Sequence, residues 1–233
     1  MSTTTFAALQ SNHGHRTSLG YDFSALFGEL AEEGKADAAI VSTEEGFSPL
    51  GASRTLFEHD LGISYENEIK PLANWNRFDN GRITLVALAS RRPGGLLRGV
   101  ILAPSETSLC YERLPASVRC HRPCRDFYFN VTYEALAVAC GQWGARKIAI
   151  SHLSACGRYH EDIATCHAEA LAHYCDANPE SAPDSFVFCG CCITPDHLQG
   201  VRRLNAEGQH TTHHPIQVTT ETKGSAALFH LAW

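Results

Sequence analysis

A chain of 233 residues suits one sizeable domain, or one domain with an appendage. With 44% hydrophobic residues it can bury a substantial core, which excludes disorder throughout. A formal net charge of −6 argues against broad nucleic-acid binding, and the short cluster Arg113, Arg119, Arg122 and Arg125 lacks the aromatic interleaving of a base-stacking surface.

No apolar run reaches the roughly 18 residues of a membrane span, so neither a transmembrane helix nor a membrane partner is expected. Met1-Ser2-Thr3-Thr4-Thr5 has no basic flank followed by a hydrophobic stretch, so it does not read as a secretion signal and the cytoplasm is the expected location. The ten cysteines all lie at or after Cys110. In a long cytosolic chain with a good apolar core they are expected to be reduced, mostly as small buried hydrophobes.

In chain order, residues 1–18 are polar, rich in Thr, Ser and His, and read as a flexible lead-in to a single domain over 19–233. Phe23, Leu26, Phe27 and Leu30 fall on one helical face, with Gly34 as the stop. Asp37 to Val41 reads as a short apolar strand. Ser48-Pro49 predicts a helix start, with the helix running to about His59. Residues 62–80 read as irregular. Two strands follow, Ile83 to Ala89 and Leu97 to Ala103, joined by a turn at Arg91-Arg92-Pro93-Gly94-Gly95. Residues 105–125, with scattered Pro, Arg and Cys, read as a loop insertion.

The second half alternates more clearly. Leu136, Ala139, Cys140 and Trp143 mark a helix face, and Ile148 to Leu153 a strand. Ile163, Cys166, His167, Ala170, Leu171 and Tyr174 repeat at helical spacing. Ser185 to Cys192 is a strand, and Thr194-Pro195-Asp196 caps a helix with Leu198, Val201 and Leu204 inward. Residues 216–220 and 226–231 pair as a hairpin about Lys223-Gly224-Ser225, a C-terminal β extension over 210–233. Strands alternating with helices imply an α/β fold whose sheet is covered on both faces.

The stretch Arg146 to Asp162 is the most informative. It reads as a buried strand, a small-residue turn and an amphipathic helix. That order puts backbone N–H groups at the carboxyl end of a strand, where α/β folds bind phosphate-bearing ligands. Ser154, Ala155, Cys156, Gly157, Arg158 and Tyr159 form the turn. Glycine permits close backbone approach, and an arginine can pair with phosphate through two bonds.

On these residues the chain resembles the macrodomain family across roughly 18–206. Tyr133 to Ile150 is similar to the family's helix leading into its central strand. Ser154 to Tyr159 stands in the place of its second phosphate loop, and Lys35 to Val41 is similar to the strand before its first ligand loop. Gly20-Tyr21-Asp22 sits where the family often carries a Gly-Asp pair. The resemblance implies a three-layer α/β/α fold with a mixed central sheet. It implies a cleft for ADP-ribose or a related adenosine diphosphate nucleotide, free or carried on an ADP-ribosylated protein, and no cofactor. Asp22 would accept from the adenine amine, and Ser42, Gly51 and Ala52 would belong to the first ligand loop. The chain departs from the family pattern there. Ser42-Thr43-Glu44-Glu45 replaces the usual asparagines, and Ser48 to Ser53 replaces a glycine-rich loop. Two carboxylates beside a diphosphate repel it unless a metal or a proton intervenes.

If the ligand is hydrolysed, Asp162, His160 and Glu44 are the candidate acid–base groups for water attack at the anomeric carbon. Each also has a plain structural role open to it. Glu161 and Asp162 open a helix whose dipole favours acids, His160 suits a surface position, and Glu44-Glu45 suits a solvated turn. Cys156 is a nucleophile only if His152 or His160 approaches it. His152, Cys156, His160 and Cys166, and separately Cys120-His121-Arg122-Pro123-Cys124, offer zinc-ligand types without a tidy Cys-x-x-Cys pair. His167 and Cys189-Gly190-Cys191-Cys192 read as core packing. Two other readings remain. One is a non-catalytic interaction module with an apolar patch near Trp75, Phe78 and 105–125. The other is a metal-dependent hydrolase using Glu44, Glu45 and nearby histidines.

Overall fold

Val, Ile, Leu and Ala fill consecutive positions in four short segments, a pattern that suits strands buried on both faces. The computed structural model describes residues 5–10, 15–17, 20–22, 30–43, 56–71, 82–104, 125–151, 160–190, 217–223 and 226–232. Its strands are β1 (Thr5–Gln10), β2 (His15–Thr17), β3 (Gly20–Asp22), β4 (Ala38–Thr43), β5 (Arg82–Ala89), β6 (Gly99–Pro104), β7 (Lys147–Ser151), β8 (Ser185–Gly190), β9 (Gln217–Lys223) and β10 (Ala226–Ala232). Its α-helices are α1 (Arg125–Leu136) and α2 (His160–Ala177). Eight strands form one sheet in the order β1-β8-β7-β4-β6-β5-β10-β9, and β2 and β3 pair separately. The run from β1 to β6 is parallel, whereas β5, β10 and β9 are antiparallel to their neighbours. The fold is α/β with a mixed central sheet.

Side chains alternate across this sheet with period two. Ile40, Leu85, Ile101, Ile148 and Phe186 face one way and join a core with α1 and α2. Val41, Val86, Leu102, Ala149 and Val187 face the other way and join a second core with Leu30, Leu56, Phe57, Leu61 and Ile69. Helical elements therefore cover both faces, giving the three layers. Among the described residues those on the second face are the helical residues 30–32 and the π-helical turns Leu56–Leu61 and Tyr65–Ile69. Ser64 caps the latter, its hydroxyl accepting from the Asn67 N–H at 3.4 Å.

Several sequence expectations are corrected. Within the segment read as a lead-in, Thr5–Gln10 forms the edge strand β1, parallel to β8, and His15–Thr17 forms β2. Phe6 to Leu9 is a run too short to stand out among polar neighbours. Arg125, placed in the loop insertion, starts α1. Its aromatic and β-branched residues (Phe127, Tyr128, Phe129, Val131) hide helical periodicity that burial supplies. Residues 65–69, read as irregular, make a π-helical turn. The C-terminal hairpin forms as expected, and β10 adds to the β5 edge. The helix expected from Thr194 lies outside the described residues, as does most of the one expected from Pro49.

At the amino ends of the central strands, the Asp37 carboxylate accepts from the backbone N–H groups of Arg146, at 3.0 and 3.1 Å, and of Lys147, at 2.8 Å. The Asp37 N–H donates to the Lys147 carbonyl at 2.8 Å, and its carbonyl accepts from the Arg98 N–H at 2.7 Å. The Arg98 guanidinium donates to the Trp143 carbonyl at 2.9 Å and lies 3.7 Å from the Asp37 carboxylate. Gly34, at φ 64°, closes the preceding helical turn, and its carbonyl accepts from Lys147 Nζ. Gly99 is pressed against the Trp143 ring, where an added Cβ would meet ring carbons at 2.6 Å and the Leu88 carbonyl at 2.7 Å. Cys140, Cys166 and Cys175 are thiols on the α1/α2 side. Burial, with the Asp37 charge adding to it, pushes the Cys140 thiol up to about 12, which removes it from thiolate chemistry at neutral pH.

Asp37→Ala leaves two backbone donors without their acceptor and is expected to cost ~1–3 kcal/mol. Gly99→Ala forces the Trp143 ring or β5 to move, for a loss of ~1–3 kcal/mol. Urea unfolding of each variant beside the parent measures both; a midpoint within error of the parent would contradict either assignment.

Candidate functional site

Where connections leave a sheet decides where a ligand can sit. From Thr43, at the carboxyl end of β4, the chain passes through residues 44–55 to the π-helical turn on the second face and on toward β5. From Ser151, at the carboxyl end of β7, it passes through residues 152–159 to α2 on the first face and on to β8. β5 and β8 lie on opposite sides of the β4–β7 pair in the strand order. β4 and β7 are neighbouring parallel strands, with Ile40 opposite Ile150. Their outgoing connections lead to opposite faces and opposite directions, the arrangement that in open α/β sheets places ligands at the carboxyl ends of the strands.

Of the residues singled out in the sequence, Ser42 is the penultimate residue of β4, level with Ala103 of β6. His160 and Asp162 lie in the first turn of α2, the helix that follows β7. Asp22 is the final residue of β3, opposite His15 in the small hairpin. Glu44, Gly51, Ala52, Ser154, Ala155, Cys156, Gly157, Arg158 and Tyr159 lie outside the described residues, as do His152, Glu45, Cys120, Cys124, Cys191 and Cys192. The structure thus brings together the roots of the two expected ligand loops. Among the described residues no group of three or more Cys, His, Asp or Glu is placed to hold a metal, and no helix is long and apolar enough to cross a membrane.

On the first face of the sheet, α1 and α2 meet in a seam that is partly polar. Thr132 and His167 are fully buried, and the Thr132 hydroxyl and His167 Nδ1 are 2.6 Å apart. The His167 ring stands edge-on to Tyr128, with centroids 6.2 Å apart. Glu169 and Asn130 are buried in the same pair of helices. Burial drives the His167 imidazole down to about 3, so it is neutral at physiological pH. Burial likewise raises the Glu134 carboxyl. His167 is the core histidine that its place in the apolar stripe suggests. Its partner was not legible, because residues 126–132 were not assigned to a helix. The seam could have been found from Asn130 and Thr132 standing amid aromatic residues, a place where polar side chains need partners.

A second concavity lies at the opposite pole, beside the turn into β6. It is a cleft of about 280 Å³ lined by Glu32, His59, Asp60, Arg92, Leu96 and Leu97 among others. The Arg92 guanidinium donates to the His59 carbonyl across it. Within it, His59 Nδ1 and the Asp60 carboxylate are 2.8 Å apart.

No protein-family model matches the chain, and no curated protein matches it by sequence. Solved macrodomains are among the structures it is similar to. One is a Trypanosoma brucei macrodomain in complex with ADP-ribose, with 12% identity and a TM-score of 0.43, covering 73% of this chain and 64% of that one. Another is a mutant macrodomain of Oceanobacillus iheyensis, with 12% identity and a TM-score of 0.46, covering 74% of this chain and 87% of that one. A third is a mutant poly(ADP-ribose) glycohydrolase from Deinococcus radiodurans in complex with ADP-ribose, with 15% identity and a TM-score of 0.48, covering 88% and 85%. The chain therefore spans just under two thirds of the trypanosomal structure's length.

The buried neutral His167 sets a pH dependence. Its folded-state pKa is depressed, so the unfolded chain binds more protons between about pH 6.5 and 3. The stability is fully present above that window and is lost as pH falls through it, by up to ~1.4 kcal/mol per pH unit. Denaturant titrations from pH 7 to pH 4 should show the acid-side slope reduced in His167→Asn; an unchanged slope would mean that another group dominates.

Proposed function

We propose that this protein binds ADP-ribose, or a related adenosine diphosphate nucleotide, in the crevice between the carboxyl ends of β4 and β7. One observation carries the reading: the two loops that the sequence marks for a ligand are rooted on the two strands whose connections diverge. Backbone N–H groups at the start of α2 and in the Gly157 turn supply what a diphosphate needs, fixed donors in a positive field. Asp22 is the proposed partner of the base. Ser42, Gly51 and Ala52 are assigned to the first wall, and Ser154 to Tyr159 to the second. The chemistry open to such a site is attack of a held water on the anomeric carbon, with Asp162, His160 or Glu44 moving the proton. Positioning and charge stabilisation would supply most of the acceleration. The cytoplasm is the proposed setting.

Two of the similar solved structures hold ADP-ribose, which makes it the first probe. Calorimetric titration of ADP-ribose into the full chain should give micromolar affinity, with ADP and AMP weaker. Gly157→Trp should weaken it at least ~100-fold, because a large side chain blocks the close approach of phosphate to backbone that glycine allows. No heat and no thermal stabilisation at millimolar ADP-ribose would sink the reading. It would leave the protein-interaction and metal-dependent alternatives, which metal analysis of chelator-free protein separates.

A further inference from the structure

We propose that His167 is a positioning residue: its hydrogen bond to Thr132 sets where along α1 the helix α2 stands, and with it where α2's amino terminus stands at the carboxyl ends of β4 and β7. Much of the remaining α1–α2 contact is apolar or aromatic: on α2 it is made by Cys166, Ala170, Leu171, His173 and Tyr174, with His173 edge-on to Phe129 and Tyr174 edge-on to Tyr133, and Glu169 is buried on the same helix. Apolar ridges of this kind fit their grooves in more than one register, because residues three and four apart present similar surfaces. A buried polar pair does not slip in this way, since a shift by one turn separates both partners in a place where water cannot replace them. Thr132 and His167 are both fully buried and 2.6 Å apart, and Tyr128 stands edge-on to the imidazole and limits its swing.

The geometry carries the effect to the crevice. His167 is two turns from His160, roughly 10 Å along the axis at 1.5 Å per residue. The far end of α2 is held separately, by the Tyr174 hydroxyl and Ser181 at 2.8 Å and by Asn178 Nδ2 donating to the Tyr174 carbonyl at 3.1 Å. Loss of the His167 bond should therefore release the amino half of the helix and not the carboxyl half. The nucleotide arm of the following test rests on the function proposed above; the exchange arm does not.

Thr132→Val and His167→Leu keep the volume of the seam and remove the bond, while His167→Asn puts an amide near the place of Nδ1. Hydrogen exchange of the intact protein should show amide protection at Ala164, Thr165 and Cys166 falling about tenfold in the first two variants. Protection at Tyr174 to Ala177 should hold, and His167→Asn should restore the pattern. The dissociation constant for ADP-ribose should rise about tenfold in Thr132→Val and His167→Leu and recover in His167→Asn. Equal loss of protection along the whole of α2, or none at Ala164 to Cys166, overturns the proposal. So does nucleotide affinity unchanged in Thr132→Val. If the parent binds no nucleotide while the exchange pattern appears as described, the proposed function fails and the positioning role stands.

Discussion

The Asp37 carboxylate is the constraint on which the rest of the molecule depends. It accepts from consecutive backbone N–H groups at the head of β7, while its own backbone pairs with Lys147 on one side and Arg98 on the other. One side chain thereby indexes β4 against β7, and one residue indexes β4 against both neighbours. In a sheet buried on both faces, a slip of one position exchanges every inward residue between the two cores. Ile40 and Ile150 would leave the core of α1 and α2, and Val41 would enter it. The same indexing sets the level at which the chain leaves β4 and β7 at the other pole.

The two ends of the sheet have different characters. At the amino end, charges are matched locally. Arg146 donates to Asp184 and to the Glu180 carbonyl, a contact that holds the Asp184 carboxyl below its usual range, and Lys147 reaches the Gly34 carbonyl. The many ionic groups there act as fasteners between turns. At the carboxyl end, the parallel strands deliver their connections to opposite faces, and backbone groups leave the ladder. A densely bonded pole, opposite one where neighbouring strands send their connections to opposite faces, suits a scaffold that holds loops in register for a ligand.

Much of this was legible in the sequence, and the exceptions share a cause. β4, β5, β6 and β7 are centred on runs of Val, Ile, Leu and Ala, and β8 on Phe-Val-Phe, which makes them read plainly. α2 reads from its apolar stripe at helical spacing, and Gly34 and Gly94 mark real turns, each with positive φ. β1 was missed because a parallel edge strand draws its stability from β8, far away in sequence, so nothing local announces it. The opening of α1 was missed because aromatic residues give weak helix propensity and their burial between sheet and α2 overrides it. For the site, the sequence marked the strand–turn–helix order around Ser154 to Asp162 and the segment after β4. It did not reveal that these two segments spring from adjacent strands, because adjacency is a property of topology, not of either segment.

The pairing of β1 with β8 has a consequence for how the chain comes off the ribosome. Phe6 lies opposite Phe186, so β1 must wait for about 180 further residues to be made before its partner exists. Until then its apolar run Phe6-Ala7-Ala8-Leu9 has no ladder to join. β5 likewise waits for β10, the last strand, before that edge is closed by the polar strand β9. Both flanks of the sheet are thus completed late in synthesis, through contacts of long sequence separation whose loop-closure cost slows folding. Until those partners emerge, β1 and β5 present open strand edges, the kind of surface through which incomplete chains aggregate.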